Sequence, residues 1–429
     1  MKMMRRYSSR SQASFDFNES EEYIMRDFSK LYKKVSEDFD MKTAEAVESF
    51  HSIYSDRIYK WLAGLWDGEV GGFYYSNSAR DNEPYFPDIE STSQAFNFLN
   101  SEGIVERFDA FPTRMKDKAV KFIAGCQDPE DGYFYHKGWG KNISTSRRTR
   151  DMGKGLSVIH GFGAQSLYPT AYERIQAAAE SGTTEAENTT VPEHLRSEAA
   201  LKKYLDELDL NGLKTPGASY GCGSRIGQQF AEIKAAGLGD FCIDYLNSKQ
   251  YENGLWEKEV TYGSTNGLMK ISGAYCAMKR ELPHVENAFN AALEIAVLDT
   301  RIGGLVDVYN PPFIMLNLFS LMKDLGQNDI MERCKARLKE NAAKMIEIAR
   351  KKVLLFAEPD GAFSYCIGHP ASHSQGQPVC IPNLPESDVN ANSLAQGART
   401  MTFTALGIEN VPLFDEKDAK IFFELAGEN

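Results

Sequence analysis

The stretch Gln127-Asp128-Pro129-Glu130-Asp131-Gly132-Tyr133-Phe134-Tyr135 decides the fold, because its glycine–aromatic core recurs along the chain. Clear copies are Gly71-Gly72-Phe73-Tyr74-Tyr75, Asn253-Gly254-Leu255-Trp256 and Asp360-Gly361-Ala362-Phe363-Ser364-Tyr365, with a weaker one at Gly303-Gly304-Leu305-Val306. Counted at the second glycine or its equivalent, they stand at 72, 132, 254, 304 and 361, at intervals of 60, 122, 50 and 57. The long interval is about two of the others, so a degenerate copy belongs inside it, near residues 190–220. Internal repetition outranks local reading when a fold is inferred. A turn unit at this spacing, with helical patterning between, describes stacked helix pairs. Six pairs use most of the chain and can close into a ring. In each unit the glycine supplies a turn with positive φ, and the aromatics staple one pair onto the next.

Helical apolar spacing runs through residues 21–65, at Tyr23, Ile24, Phe28, Leu31, Tyr32 and Val35 and then Ile53, Ile58, Trp61 and Leu62. The same periodicity predicts helices over 114–125, 196–208, 227–248, 285–297, 312–325 and 328–351. Strand signals are confined to the aromatic triplets and residues 353–356. Residues 1–20 read as a disordered tail. Residues 21–429 read as one domain, interrupted by a small, polar, acidic inserted loop at 180–192.

The chain carries 60 acidic and 48 basic residues, a formal charge of −12. That balance argues against nucleic acid or an anionic membrane as the main partner, since both reward a basic face. No stretch approaches the roughly 20 apolar residues of a membrane span. The charged start Met1-Lys2-Met3-Met4-Arg5-Arg6 is not followed by the apolar run of a signal peptide. Seven scattered cysteines with no C-x-x-C pair fit the reduced thiols of a cytoplasmic protein. Histidines and cysteines show no ligand spacing, so neither metal nor obligatory cofactor is expected.

The units Gln127–Phe134 and Gln250–Trp256 resemble the Q-x-x-x-G-x-W class of repeat in terpenoid cyclases and protein prenyltransferases. The resemblance covers roughly residues 60–425. It implies an all-α fold, an (α/α)6 toroid with an inner ring of helices around a central pocket. That architecture is similar to that of many glycoside hydrolases and polysaccharide lyases. Such likeness concerns the fold and leaves the reaction open.

In such a toroid the pocket opens where the inner helices begin. Pro87-Asp88-Ile89-Glu90-Ser91-Thr92 and Pro385-Glu386-Ser387-Asp388-Val389-Asn390 look like copies of one helix start, in the first and last repeats. Ring closure makes those repeats neighbours, so Glu90, Glu386, Asp388 and Asn390 are expected to converge on one mouth. Acids there also cap free helix N–H groups. Two carboxylates across a pocket are what glycoside hydrolysis uses, which nominates Glu90 and Asp388 as the acid–base pair, with Glu386 beside them. Asp88-Ile89-Glu90-Ser91-Thr92 also resembles the D-x-D-D-T motif of class II terpenoid cyclases, with Glu90 at the central acid and Ser91 in place of the next aspartate.

A second constellation joins Tyr135-His136-Lys137-Gly138-Trp139 to Arg147-Arg148-Thr149-Arg150-Asp151. Arg147, Arg148 and Arg150 match a carboxylate or phosphate in bidentate geometry. Trp139 offers a stacking face to a sugar ring. Tyr262, Asn266 and Lys270 belong to a further helix start, and His373 lies in a long loop that overhangs the site. Tyr262 and His136, with an arginine to neutralise charge, also compose the usual set for β-elimination of uronates. The expectation is an enzyme that cleaves an oligosaccharide bearing an acidic sugar, by hydrolysis or elimination. Its rivals are an enzyme acting on a prenyl diphosphate and a non-catalytic binding toroid.

Overall fold

In the computed structural model, residues 26–181 and 191–428 are described. The expected tail at 1–20 and residues 182–190 of the expected inserted loop lie outside them. The first helices are α1 (Ser29–Asp38), α2 (Met41–His51) and α3 (Arg57–Gly64). A two-stranded turn of β1 (Trp66–Asp67) and β2 (Gly72–Phe73) leads to α4 (Asn77–Asp81) and α5 (Ile89–Ser101). Then follow α6 (Thr113–Ala124), α7 (Thr145–Gly161), α8 (Ala171–Ser181), α9 (Glu198–Asp206) and α10 (Ala218–Ala235). Next are α11 (Gly239–Lys249), α12 (Tyr262–Met278), α13 (Val285–Ala296) and α14 (Val306–Asp324). The last part holds α15 (Asn328–Glu340), α16 (Ala342–Val353), the hairpin of β3 (His373–Ser374) and β4 (Gln377–Pro378), α17 (Val389–Leu406) and α18 (Glu416–Ala426). The protein is therefore mainly α-helical. No helix among the described residues is long and apolar enough to cross a membrane.

The glycine–aromatic units are tight turns closed by single backbone bridges or short strands, such as Gln127 with Phe134 and Ala357 with Phe363. Gly132 (φ 78°) and Gly254 (φ 80°) adopt the left-handed conformation that other residues resist. Each also lies against backbone of a following segment. A side chain on Gly132 would overlap the Pro169 carbonyl, and one on Gly254 would overlap the Ala288 amide in α13. The aromatics behind them are buried: Phe73 packs between Trp66 and Phe96, and Trp256 donates its indole N–H to the Leu246 carbonyl at 2.9 Å. The degenerate copy is Asn211-Gly212-Leu213, with Gly212 at φ 62° and the Asn211 amide spanning the Lys249 and Trp256 carbonyls at 2.8 Å each.

These turns space the helices so that α5, α7, α10, α12, α14 and α17 each pack against the next, and α17 packs back on α5. Outside this cycle α6 lies on α7, α8 on α10, α11 on α12, α13 on α14 and α16 on α17. The closure has its own contacts. Gly361 of the last turn abuts Arg57 in α3, and one hydrophobic core holds Phe73 and Phe96 together with Phe363, Ala398 and Phe403. A second core, around Leu246, Trp256, Phe289 and Ile314, fills the middle of the chain.

Three expected elements differ. The predicted helix over 227–248 is two, because Gly237 (φ 74°) ends α10 in a left-handed turn while the apolar periodicity runs on into α11. The predicted 328–351 breaks at Asn341, between α15 and α16. Residues 354–356 form a 3-10 turn instead of a strand, an ambiguity inherent in an apolar run of four.

Candidate functional site

Asp88 and Asp388 occupy equivalent places. Each caps its helix, α5 or α17, and each sends its N–H to the carbonyl of the aromatic in the preceding turn, Phe73 at 3.2 Å or Phe363 at 2.9 Å. Glu90 therefore corresponds to Asn390, not to Asp388. The two starts do meet: the Gln94 side-chain amide donates to Asn390 Oδ1 at 2.8 Å and to Glu90 Oε1 at 3.3 Å. Glu386 turns aside to the start of α4, accepting from the Ser78 N–H at 2.8 Å and the Ser76 hydroxyl at 3.0 Å.

Asp388 is fully enclosed. Its oxygens accept from the N–H groups of Ala391 (2.8 Å) and Tyr365 (2.7 Å), and the Tyr75 phenol faces it. Burial pushes its carboxyl up to about 7, against the pull of those two N–H groups. The residue that sequence reasoning pairs with Glu90 thus has both oxygens on backbone N–H groups.

Glu90 is clamped. Arg147 Nη1 donates to Oε2 at 2.8 Å, Arg150 Nε to Oε1 at 2.6 Å, and the Ser374 hydroxyl of β3 to Oε2 at 3.0 Å. Burial works toward the neutral acid, but Arg150 and then Arg147 prevail and hold the carboxyl far below its usual range. A carboxylate held this way carries no proton to give to a leaving group. Arg147 itself has no exposed surface and is chelated by Asp151, with Nε at 2.9 Å and Nη2 at 2.5 Å, and Asp88 stands 3.6 Å away.

The remaining expected residues separate into locked and open positions. Trp139 lies under the Arg147 guanidinium, 4.5 Å from ring centre to Cζ, and beside the tilted His136 ring at 4.7 Å. His136 has one ring nitrogen on the Pro87 carbonyl at 2.8 Å and takes the Gly138 N–H on the other at 3.2 Å. Burial lowers its pKa, and it acts as a loop clamp with no nitrogen left for substrate. Arg148, one residue on from Arg147, leaves on another face and lies over Tyr133 at 4.1 Å, next to Glu232. Tyr262 accepts from Lys352 at 2.6 Å, away from the clamp. Asn266 joins α12 to α14 through Asp307 (2.9 Å) and Asn310 (2.7 Å). His373 is exposed on the hairpin and bonded to Ser372.

Arg150 is different. Its side chain keeps 23% exposure although it reaches inward from α7. In the helix cycle α5 stands opposite α12, α7 opposite α14, and α10 opposite α17. Side chains on these opposed helices act on one another. The charge of Glu90 on α5 reaches Lys270 on α12, that of Arg150 on α7 reaches Tyr309 on α14, and Tyr220 on α10 meets Tyr365, whose N–H is held by the Asp388 cap of α17. These groups are thus close enough to act on one another across the cycle. Lys154, one turn beyond Arg150, belongs with them. Burial, and then the charge of Arg150, bring the Lys154 and Lys270 ammonium groups down to about 8 each. Beside them Gly153, Gly221 and Gly273 face open space, with no atom within 4 Å of the point where a Cβ would stand.

Sequence reasoning names Lys270 but passes over Lys154, Tyr220 and Tyr365 as interior groups. Lys154 was findable as the residue one helical turn from Arg150. Tyr220 and Tyr365 carry no such signal, because only ring closure brings them together. No family model, no curated protein and no solved structure matches this chain.

Proposed function

We propose that the chain is an (α/α)6 toroid whose interior binds an oligosaccharide bearing a uronate and cleaves it by β-elimination. The toroid rests on the closed cycle of six helices and the packing of the last turn onto α3. The function rests on one observation. Arg150 and Lys154 on α7 and Lys270 on α12, helices that are not neighbours in the cycle, all lie within electrostatic reach of Glu90. In a chain of net charge −12 such a concentration of cations selects an anion. Arg150 and Lys154 hold the uronate carboxylate and stabilise the charge that builds on it as the neighbouring C–H is removed. Tyr220 and Tyr365 stand as the proton-transfer groups. Hydrolysis is disfavoured because Glu90 is locked as an anion and Asp388 caps a helix. The α5 and α7 surfaces carrying Glu90 and Arg150 continue as exposed Asn97 and Ser157, which suits a sugar better than a prenyl chain.

The test is incubation with a pool of neutral and uronate-containing oligosaccharides, followed by product masses. Elimination gives cleavage of the uronate members without gain of water, lost in Arg150→Met. Cleavage with gain of water, or no cleavage of any uronate member, overturns the reading.

A further inference from the structure

Lys270 projects from α12 into the interior where Arg150, Lys154 and Glu90 are the charged groups acting on it. Unlike Lys352, which is held by Tyr262 and the Leu298 carbonyl, it has no hydrogen-bond acceptor and no ion-pair partner among the described residues. The Tyr220 ring lies 5.6 Å from its Nζ. On the opposite side there is room, since Gly273, one turn further along α12, and Gly221 beside Tyr220 both face open space. Behind it α10 and α12 approach closely: a side chain on Gly227 would overlap the Lys270 carbonyl, and one on Gly223 would press on Lys270 Cβ at 3.1 Å. The backbone that carries Lys270 is thus fixed while its amine is unengaged.

We propose that Lys270 is an amine nucleophile that condenses with a carbonyl compound bearing a carboxylate, a 2-oxo acid or the open-chain form of a uronate, with Arg150 holding the carboxylate. The neutral Nζ adds to the carbonyl carbon, and the carbonyl oxygen leaves as water with the two amine protons, giving a C=N bond. Lysines set beside another cation in a desolvated site are suited to this chemistry, because the free amine is populated near neutral pH. The imine draws electrons from the adjacent carbon, so it acidifies a neighbouring C–H. This inference relies on the proposed function only for the location of the interior.

The test uses the full chain with glyoxylate and cyanoborohydride at neutral pH, followed by peptide mass mapping. The imine takes a hydride on carbon and a proton on nitrogen, leaving a carboxymethyl group on the lysine. A pKa near 8 in place of the ordinary 10.5 gives a free-amine fraction larger by about 300-fold, so Lys270 carries the label at least ~10-fold ahead of surface lysines. Arg150→Met slows labelling by glyoxylate more than labelling by formaldehyde, which has no carboxylate and loses only the free amine that the Arg150 charge sustains, and Lys270→Arg abolishes the site while circular dichroism shows the fold retained. Labelling spread over lysines in proportion to exposure, labelling of Lys154 in place of Lys270, or equal glyoxylate labelling of Arg150→Met overturns the proposal. None of these readouts needs an oligosaccharide to be cleaved.

Discussion

Two buried carboxyls show how the surroundings, not the residue type, set a role. Glu90 has two guanidiniums within hydrogen-bond distance and stays an anion. Removing one partner of such a buried set costs about 3 kcal/mol, the low end of the usual range because Arg147 retains Asp151. Glu90→Gln is therefore expected to lower the denaturation midpoint markedly, and an unchanged midpoint would mean that the clamp is loose. Glu232 is the contrasting case, bonded to the Tyr133 phenol with its second oxygen unpartnered. Burial pushes it up to about 7, above the ordinary 4.5. The folded state therefore keeps a proton that the unfolded chain releases. Its stabilisation is complete below pH 4.5 and is lost as pH rises through about 7. One such proton contributes a slope of about 1.4 kcal/mol per pH unit. Urea titrations of wild type and Glu232→Gln should diverge across that window. Parallel curves would contradict the protonated state.

At the scale of elements, the glycines separate those that build the turns from those that leave room. Gly254→Ala puts a side chain into a left-handed turn and onto the α13 backbone, so it should destabilise by more than about 1 kcal/mol. Gly273→Ala, mid-helix and facing open space, should stabilise by up to about 1 kcal/mol. Thermal melts check both, and equal shifts would deny the distinction. The helix pairs were legible because the turn glycine and its buried aromatics recur in the sequence. The copy at Asn211-Gly212-Leu213 was legible only to within residues 190–220, because it lacks the aromatic and works through the Asn211 amide. The register of the two helix starts is set by their caps and not by their prolines. Aligning Pro87 with Pro385 sets Glu90 opposite Asp388, whereas the capping aspartates align and Pro385 lies two residues farther out. The Glu90 clamp could not be read locally, since it joins residues 57 and 284 apart in the chain.

Across the whole molecule, the first and last helix pairs share one core, and the chain ends support each other. A chain ending before residue 384 should lose amide protection in α5 and α6 as well as near the new end. Retained protection in α5 by hydrogen exchange would show that the first pairs stand alone. Closure also sets α12 across the cycle from α5, with Lys270 within electrostatic reach of Glu90 and Arg150. The most direct measurement is calorimetric binding of an oligouronate and of the same oligosaccharide with its carboxylates reduced to alcohols. The oligouronate is expected to bind, reduction of its carboxylates to remove binding, and Arg150→Met to do the same without loss of fold. Equal binding of the two sugars, or an oligouronate affinity untouched by Arg150→Met, would contradict an anion-selective interior.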